Sequence, residues 1–176
     1  MPSLAAQTQA RLGFPKGILA FDLLQACAGW GYGLYLAALL VRETGKKVLL
    51  LDGDKQSAFL KADDPATAPL LSDGGTATVV EKAEAGGASW RFAFQTDGEK
   101  GAALKLEKGG TIEMDGFGVF RFVATDVVAF LKEFLSILAP STLPPCSLLL
   151  VSFFLTSRTS TWCGSWRRRW GWKTEC

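Results

Sequence analysis

Residues 17–52 run Gly17-Ile-Leu-Ala-Phe-Asp-Leu-Leu-Gln-Ala-Cys-Ala-Gly-Trp-Gly-Tyr-Gly-Leu-Tyr-Leu-Ala-Ala-Leu-Leu-Val-Arg-Glu-Thr-Gly-Lys-Lys-Val-Leu-Leu-Leu-Asp52. Gly17 to Leu23 is apolar apart from Asp22 and predicts a buried strand. Leu34 to Thr44 is apolar all round, which predicts a helix buried on most faces. Gly45 ends that helix as a C-cap should. Lys47 to Asp52 is a second apolar run without alternation, the pattern of a central strand covered on both sides. Strand, helix, strand at this spacing predicts a βαβ unit in a parallel sheet.

Outward from this unit the punctuation is regular. Leu4 to Leu12 is a short helical pattern capped by Ser3 and closed by Gly13. Asp52 to Asp64 is a polar connection, and Ala68 to Glu81 is a glycine turn feeding a strand of small and β-branched residues. Residues 83–89 are loop-like. Trp90 to Gln95 and Thr111 to Met114 predict strands of a hairpin or meander, with 100–110 between them. Phe120 to Leu135 has the apolar spacing of an amphipathic helix.

Composition narrows the classes. The chain has 176 residues, 48% hydrophobic and 20% charged, the balance of a soluble globular protein able to bury a core. The late apolar run Leu148 to Leu155 is too short for a bilayer span, which needs about 20 residues. The start lacks the pattern of a signal peptide. There is no histidine, which excludes Cys-His or Ser-His-Asp catalysis carried by this chain alone and removes the commonest zinc ligand.

The charge is divided unevenly. Residues 1–135 hold 14 basic and 16 acidic side chains, a net −2, while residues 136–176 hold five basic and one acidic, a net +4. Four of the six tryptophans and three of the four cysteines also fall in the later part. The chain therefore divides into 1–135 and 136–176.

Cys27 is the candidate for chemistry. It follows the first predicted strand and opens a long apolar helix, with Ala28, Gly29, Gly31 and Gly33 allowing close backbone approach. The positive end of a helix favours thiolate and lowers a cysteine pKa. That is how a nucleophile is presented at a strand-to-helix turn. On spacing alone a small buried hydrophobe fits equally well. Other features have plainer readings. Asp73-Gly-Gly75 is a tight turn rather than a phosphate loop, and Asp52, Asp54, Asp63 and Asp64 are solvated loop carboxylates rather than a cation site. Cys146, Cys163 and Cys176 lack metal spacing. Trp30 either lines an acyl or pantetheine pocket or packs in the core, and Lys46-Lys47 is a solvent-facing helix end.

The stretch Ala20 to Leu34, with Ala26-Cys-Ala-Gly29 at its centre, resembles the active-site segment of β-ketoacyl-acyl-carrier-protein synthase III, in the thiolase superfamily. Pro2-Ser3 with Gln9 to Gly13, Asp63 to Thr67 followed by Leu71 to Glu81, and Met114-Asp-Gly116 followed by Val119 to Phe122 resemble further segments of that family in order. The similarity covers about residues 2–135. It implies a thiolase-like, layered αβαβα fold of α/β type, here covering the second part of the first half and the start of the second. It also implies Cys27 as the nucleophile that takes an acyl group from acyl-CoA for decarboxylative condensation with malonyl-acyl-carrier-protein, in fatty-acid or related biosynthesis. The implied partners are acyl carrier protein and coenzyme A thioesters, with no bound cofactor, no metal, no nucleic acid and no membrane. A homodimer is implied for the intact family, and a cytoplasmic location. The family's catalytic histidine and asparagine have no counterpart here, so the chain is expected to be a partial one that cannot complete the reaction.

Residues 136–176 allow two accounts. Trp166-Arg-Arg-Arg-Trp170 is suited to a membrane surface or to stacking on nucleic acid. Alternatively the reading frame has slipped. Each new codon is then the third base of one residue plus the first two of the next. With CGN arginine codons, Ser165 to Cys176 permits Leu-Ala-Thr-Ala-Leu-Gly-Leu-Glu-Asp-Gly-Met, in which the tryptophan codons force the first Ala, the Gly and the Glu. Leu155 to Ser165 permits His-Gln-Ser-Asn-Lys-Tyr-Met-Val-Arg-Lys, similar to the family's sequence around its histidine. A slip accounts for the missing histidine, the charge inversion and the tryptophan cluster together, and is the expectation adopted. A chain so cut is expected to expose apolar surface from Leu34 to Val41 and to aggregate.

Overall fold

A computed structural model describes residues 3–84, 90–106, 110–137 and 148–149. Helix α1 spans Leu4–Arg11 and is capped as expected, with the Ser3 Oγ accepting from the Ala6 N–H at 3.0 Å. Its next free donors, the Leu4 and Ala5 N–H groups, bond the Asp22 carboxylate at 2.7 Å each. Asp22, the one charge in the apolar run, thus ties that run to the first turn of α1, where a carboxylate suits the helix dipole.

Helix α2, Gly29–Thr44, begins five residues earlier than its apolar run and ends at Gly45, whose φ of 67° and N–H bond to the Val41 carbonyl at 2.9 Å make the left-handed C-cap. Strand β1, Val48–Lys55, pairs antiparallel with β2, Asp73–Val80, in the register Val48↔Val80 to Lys55↔Asp73. Leu34, Ala37 and Val41 of α2 are buried with Val80, and Trp30, Val48, Leu50 and Phe92 pack around them. Trp30 therefore belongs to the core flank. A Cβ on Gly33 would stand 2.7 Å from Leu50 Cδ1, so a larger residue there would push the Leu50 side chain aside. Lys47 projects from the strand entrance into an exposed ion pair with Glu81 at 2.5 Å.

Three expectations are corrected here. Gly17 to Leu23 forms no strand, so the parallel βαβ unit is absent among the described residues. The run has no regular structure and is open, with Ile18, Leu19, Phe21 and Leu24 exposed; among the described residues no strand pairs with it, and an unpaired strand is not stable. Second, β1 is not covered on both sides: Leu49 and Leu51 are exposed while Leu50 packs on α2. Third, α2 does not present a bare apolar face from Leu34 to Val41, because none of those residues is exposed. Exposed apolar side chains lie instead on 18–24, on the outer face of β1, and at Phe117, Phe120 and Ile137.

Downstream, β3 is only Trp90–Arg91 and pairs in parallel with β6, Leu148–Leu149. The antiparallel hairpin is β4, Leu104–Leu106, with β5, Ile112–Met114, so the strand partner of 112–114 comes from within the predicted connection and not from 90–95. Phe92 and Phe94 instead lie against Tyr32 and Tyr35 of α2, with ring centroids 4.8–5.2 Å apart. The amphipathic helix is present as α3, Gly116–Phe122, and α4, Val128–Ile137, joined through a π-helical turn at Val123–Val127. Asp115 caps its start by accepting from the Gly118 N–H at 3.0 Å. Lys100 bonds Asp126 at 2.7 Å and pairs with Asp97 at 3.0 Å, fastening the Gly98–Ala103 turn to that π turn. Among the described residues no helix is long and apolar enough to cross a membrane. The Arg/Trp segment, Cys146, Cys163, Cys176 and the expected frame slip lie outside the described residues.

Candidate active site

Cys27 sits in a single 3-10 turn, Ala26–Ala28, that runs directly into α2. The residue before it, Ala26, has φ 43°, a left-handed backbone that an alanine adopts only under strain. Strain of this kind, next to a reactive side chain at a helix entrance, is what a sharp turn presenting a nucleophile produces. Ala28 on the other side is fully buried and anchors the turn, while Cys27 itself is exposed.

The neighbours come from β1 and the turn after it. Asp52 and Asp54 are two apart on the strand, so both carboxylates project from one face. A Cβ on Gly29, the first residue of α2, would lie 3.6 Å from Asp52 Oδ1, which places that carboxylate over the helix entrance. Gln56 opens the Gln56–Phe59 turn, and its side chain acts to lower both the Asp54 and the Cys27 pKa. Asp73 pins this turn: its carboxylate accepts from the Ser57 N–H at 2.8 Å and from the Ser57 hydroxyl at 2.7 Å. Asp73-Gly-Gly75 is accordingly the start of a strand, with its acid serving the neighbouring turn.

The electrostatics reverse the expectation from the helix dipole. The Cys27 thiol is held above its ordinary range, first by burial of the sulfur and then by the Asp54 carboxylate; hydrogen bonds from its own backbone and from Gln56 act in the opposite sense. The residue as a whole is open to solvent, but burial of its sulfur and the charge of Asp54 outweigh the dipole of the first helical turn. Burial also raises Asp52, and burial with the Asp52 charge raises Asp54. These two are therefore half-buried strand residues beside a thiol, not solvated loop carboxylates. Asp64 is a turn residue whose carboxylate accepts from the Thr67 hydroxyl at 2.6 Å and the Ala66 N–H at 2.9 Å.

Among the described residues no group of three or more Cys, Asp or Glu is placed to hold a metal ion. The shallow cleft between Lys61–Ala66 and β5 contains none of Cys27, Asp52, Asp54 or Gln56. Sequence reasoning singles out Cys27 as the candidate and reads Asp52 and Asp54, its neighbours here, only as loop carboxylates. The signal was present in Asp52-Gly-Asp54, an alternation that continues the strand past its apolar run.

Residues 21–98 match the family model of 3-oxoacyl-[acyl-carrier-protein (ACP)] synthase III. The β-ketoacyl-[acyl-carrier-protein] synthase III of Neorickettsia sennetsu is 36% identical over 122 residues, 69% of this chain and 39% of that protein. Its counterpart from Chlamydia trachomatis serovar D is 41% identical over 113 residues, 62% of this chain and 34% of that protein. Among solved structures, a 3-oxoacyl-(acyl-carrier protein) synthase from Burkholderia xenovorans superposes with a TM-score of 0.68 at 26% identity, covering 80% of this chain and 46% of that one. The synthase III of Aquifex aeolicus does so at 0.63 and 31% identity, covering 69% and 39%. The chain thus spans less than half the length of the relatives it matches. Over the shared part its fold is their thiolase-like α/β fold.

Proposed function

With residues 21–98 a segment of the 3-oxoacyl-[acyl-carrier-protein] synthase III family, we propose that Cys27 is the acyl-accepting nucleophile of a ketosynthase. The observation that carries this is the strained turn at Ala26, which puts an exposed thiol at the entrance of α2 inside the matched segment. The Cys27 sulfur attacks the carbonyl carbon of an acyl-CoA. A carbon–sulfur bond forms to Cys27, the bond to the coenzyme A sulfur breaks, and coenzyme A leaves as the thiol with the proton. Malonyl on acyl carrier protein then loses carbon dioxide, and its carbanion takes the acyl group and frees the cysteine. The chemistry calls for no resident cofactor. The partners are acyl carrier protein and coenzyme A thioesters, the whole enzyme is a cytoplasmic homodimer, and the product enters fatty-acid or related synthesis.

Condensation also needs donors for the enolate oxygen. Losing one such donor typically slows a reaction about 100- to 1,000-fold. The chain has no histidine to supply it. We therefore propose that 136–176 is out of frame with 1–135, on the codon argument and on the change from net −2 to net +4. The 176-residue chain is expected to show no condensation of acetyl-CoA with malonyl-acyl-carrier-protein. A version with the frame corrected beyond about Leu135 and extended at its start to the relatives' length should condense them. Condensation by the 176-residue chain, abolished in Cys27→Ala, would overturn the frame-slip account. Failure of the corrected enzyme would overturn the ketosynthase assignment.

A further inference from the structure

We propose that Asp22 is a positioning residue for Cys27, its carboxylate clasping the first turn of α1 so that the chain leading into the nucleophile turn is held in place. This deepens the proposed function and rests on Cys27 being the acyl acceptor. Asp22 accepts from the Leu4 and Ala5 N–H groups at 2.7 Å each, the short distance of a charge-assisted bond. Both donors belong to a helix start, where backbone N–H groups have no partner within the helix. The clasp reaches across 18 and 17 positions of chain and closes residues 4–22 on themselves. Cys27 follows Asp22 by only five residues.

The turn needs holding from both ends. Ala26 sits at φ 43°, and a left-handed alanine persists only where its surroundings over-determine it. On the far side the turn runs into α2 and is fixed by the fully buried Ala28, whose N–H bonds the Gln25 carbonyl at 3.1 Å. On the near side packing gives no comparable hold. Phe21, Leu23 and Leu24 are exposed, and among the described residues no strand pairs with 17–24. The two Asp22 bonds supply a fastening there. Without them the run can swing, Ala26 can relax out of the left-handed region, and the thiol loses its set direction at the entrance of α2.

The test combines amide hydrogen exchange with acylation kinetics on the full chain, since exchange separates local opening from global unfolding. In Asp22→Ala the Ala28 amide should exchange about tenfold faster, the scale of losing a helix-capping acceptor, while the Ala37 amide inside α2 keeps the parent's rate. Leu4→Pro removes one of the two donors from the other side. Proline suits the first helical position, and the extended Ser3 backbone (ψ 148°) accepts it. This variant should quicken Ala28 in the same sense by less, and it reports if Asp22→Ala does not fold. With saturating acetyl-CoA, Asp22→Ala should acylate Cys27 more slowly by a similar factor at an unchanged half-saturating concentration. Iodoacetamide, which needs only an exposed sulfur, should alkylate parent and variant alike. An unmoved Ala28 amide, an equal quickening at Ala28 and Ala37, or acylation at the parent's rate despite a loosened Ala28 would each overturn the proposal. A loosened Ala28 in a chain whose parent acetyl-CoA never acylates would support the hold of Asp22 on the turn and overturn the ketosynthase assignment instead.

Discussion

Residues 17–24 and 34–41 are both runs of leucine, alanine and aromatic residues interrupted by almost nothing polar, yet they end in opposite environments. The later run winds into α2, satisfies its backbone internally, and buries Leu34, Ala37 and Val41 against Val80 of β2. The earlier run enters neither helix nor strand, with Leu19 and Leu24 more than two-thirds exposed. The difference is where each finds its hydrogen bonds. A helix brings its partners with it, whereas a strand depends on neighbours elsewhere in the chain. Among the described residues no strand flanks 17–24, so hydrophobicity alone cannot bury it.

The comparison breaks most visibly at Leu34. Its truncation to alanine leaves a hole between α2 and β2 and should lower stability by about 2–5 kcal/mol, read as a shift in the denaturant midpoint. Next comes the helix stop: Gly45→Ala forces a Cβ into a left-handed backbone at φ 67° and should destabilise by about 1–2 kcal/mol, measured in the same way.

A smaller effect of opposite sign is expected at Asp54. Its carboxyl is raised by burial and by Asp52, so the folded chain holds that proton more tightly than the unfolded one. Stability from this group is gained as pH falls and is lost as pH rises through the elevated folded value, above the ordinary carboxylate value of about 3.9. Asp54→Asn should therefore stabilise the chain at pH 7 and flatten that part of its pH–stability curve, measured by thermal melts across pH. Asp64 behaves oppositely: hydrogen bonds from Thr67 and Ala66 lower it, and its contribution is lost as pH falls through the depressed value.

The smallest effect belongs to the exposed run. Leu19→Ser should change stability by no more than about 0.5 kcal/mol while reducing self-association in sedimentation, because the apolar surface there is open. A destabilisation as large as that of Leu34→Ala would show that the run is packed after all.

Where an element carries its own signals, the sequence was sufficient. Ser3 capping α1, Gly45 closing α2, and the apolar period of 120–135 all correspond to observed helices. Partnerships between distant strands were not legible. Lys47 to Asp52 reads equally as a central parallel strand or as one arm of an antiparallel pair, and the choice depends on which segment lies beside it. The same limit applied at the site. Cys27 stands out from its glycine-rich setting, but its pKa depends first on burial of the sulfur and then on Asp54, which β1 supplies. A local argument from the helix dipole therefore gave the wrong direction.

The central claim is that Cys27 accepts an acyl group. Incubating the chain with acetyl-CoA and mapping its peptides by mass spectrometry tests it directly, with iodoacetamide labelling as the control for access to the sulfur. One acetyl group on the Cys27 peptide, formed faster at higher pH as the raised thiol ionises and absent in Cys27→Ala, is the predicted result. A Cys27 that iodoacetamide alkylates but acetyl-CoA leaves unmodified at every pH would contradict it.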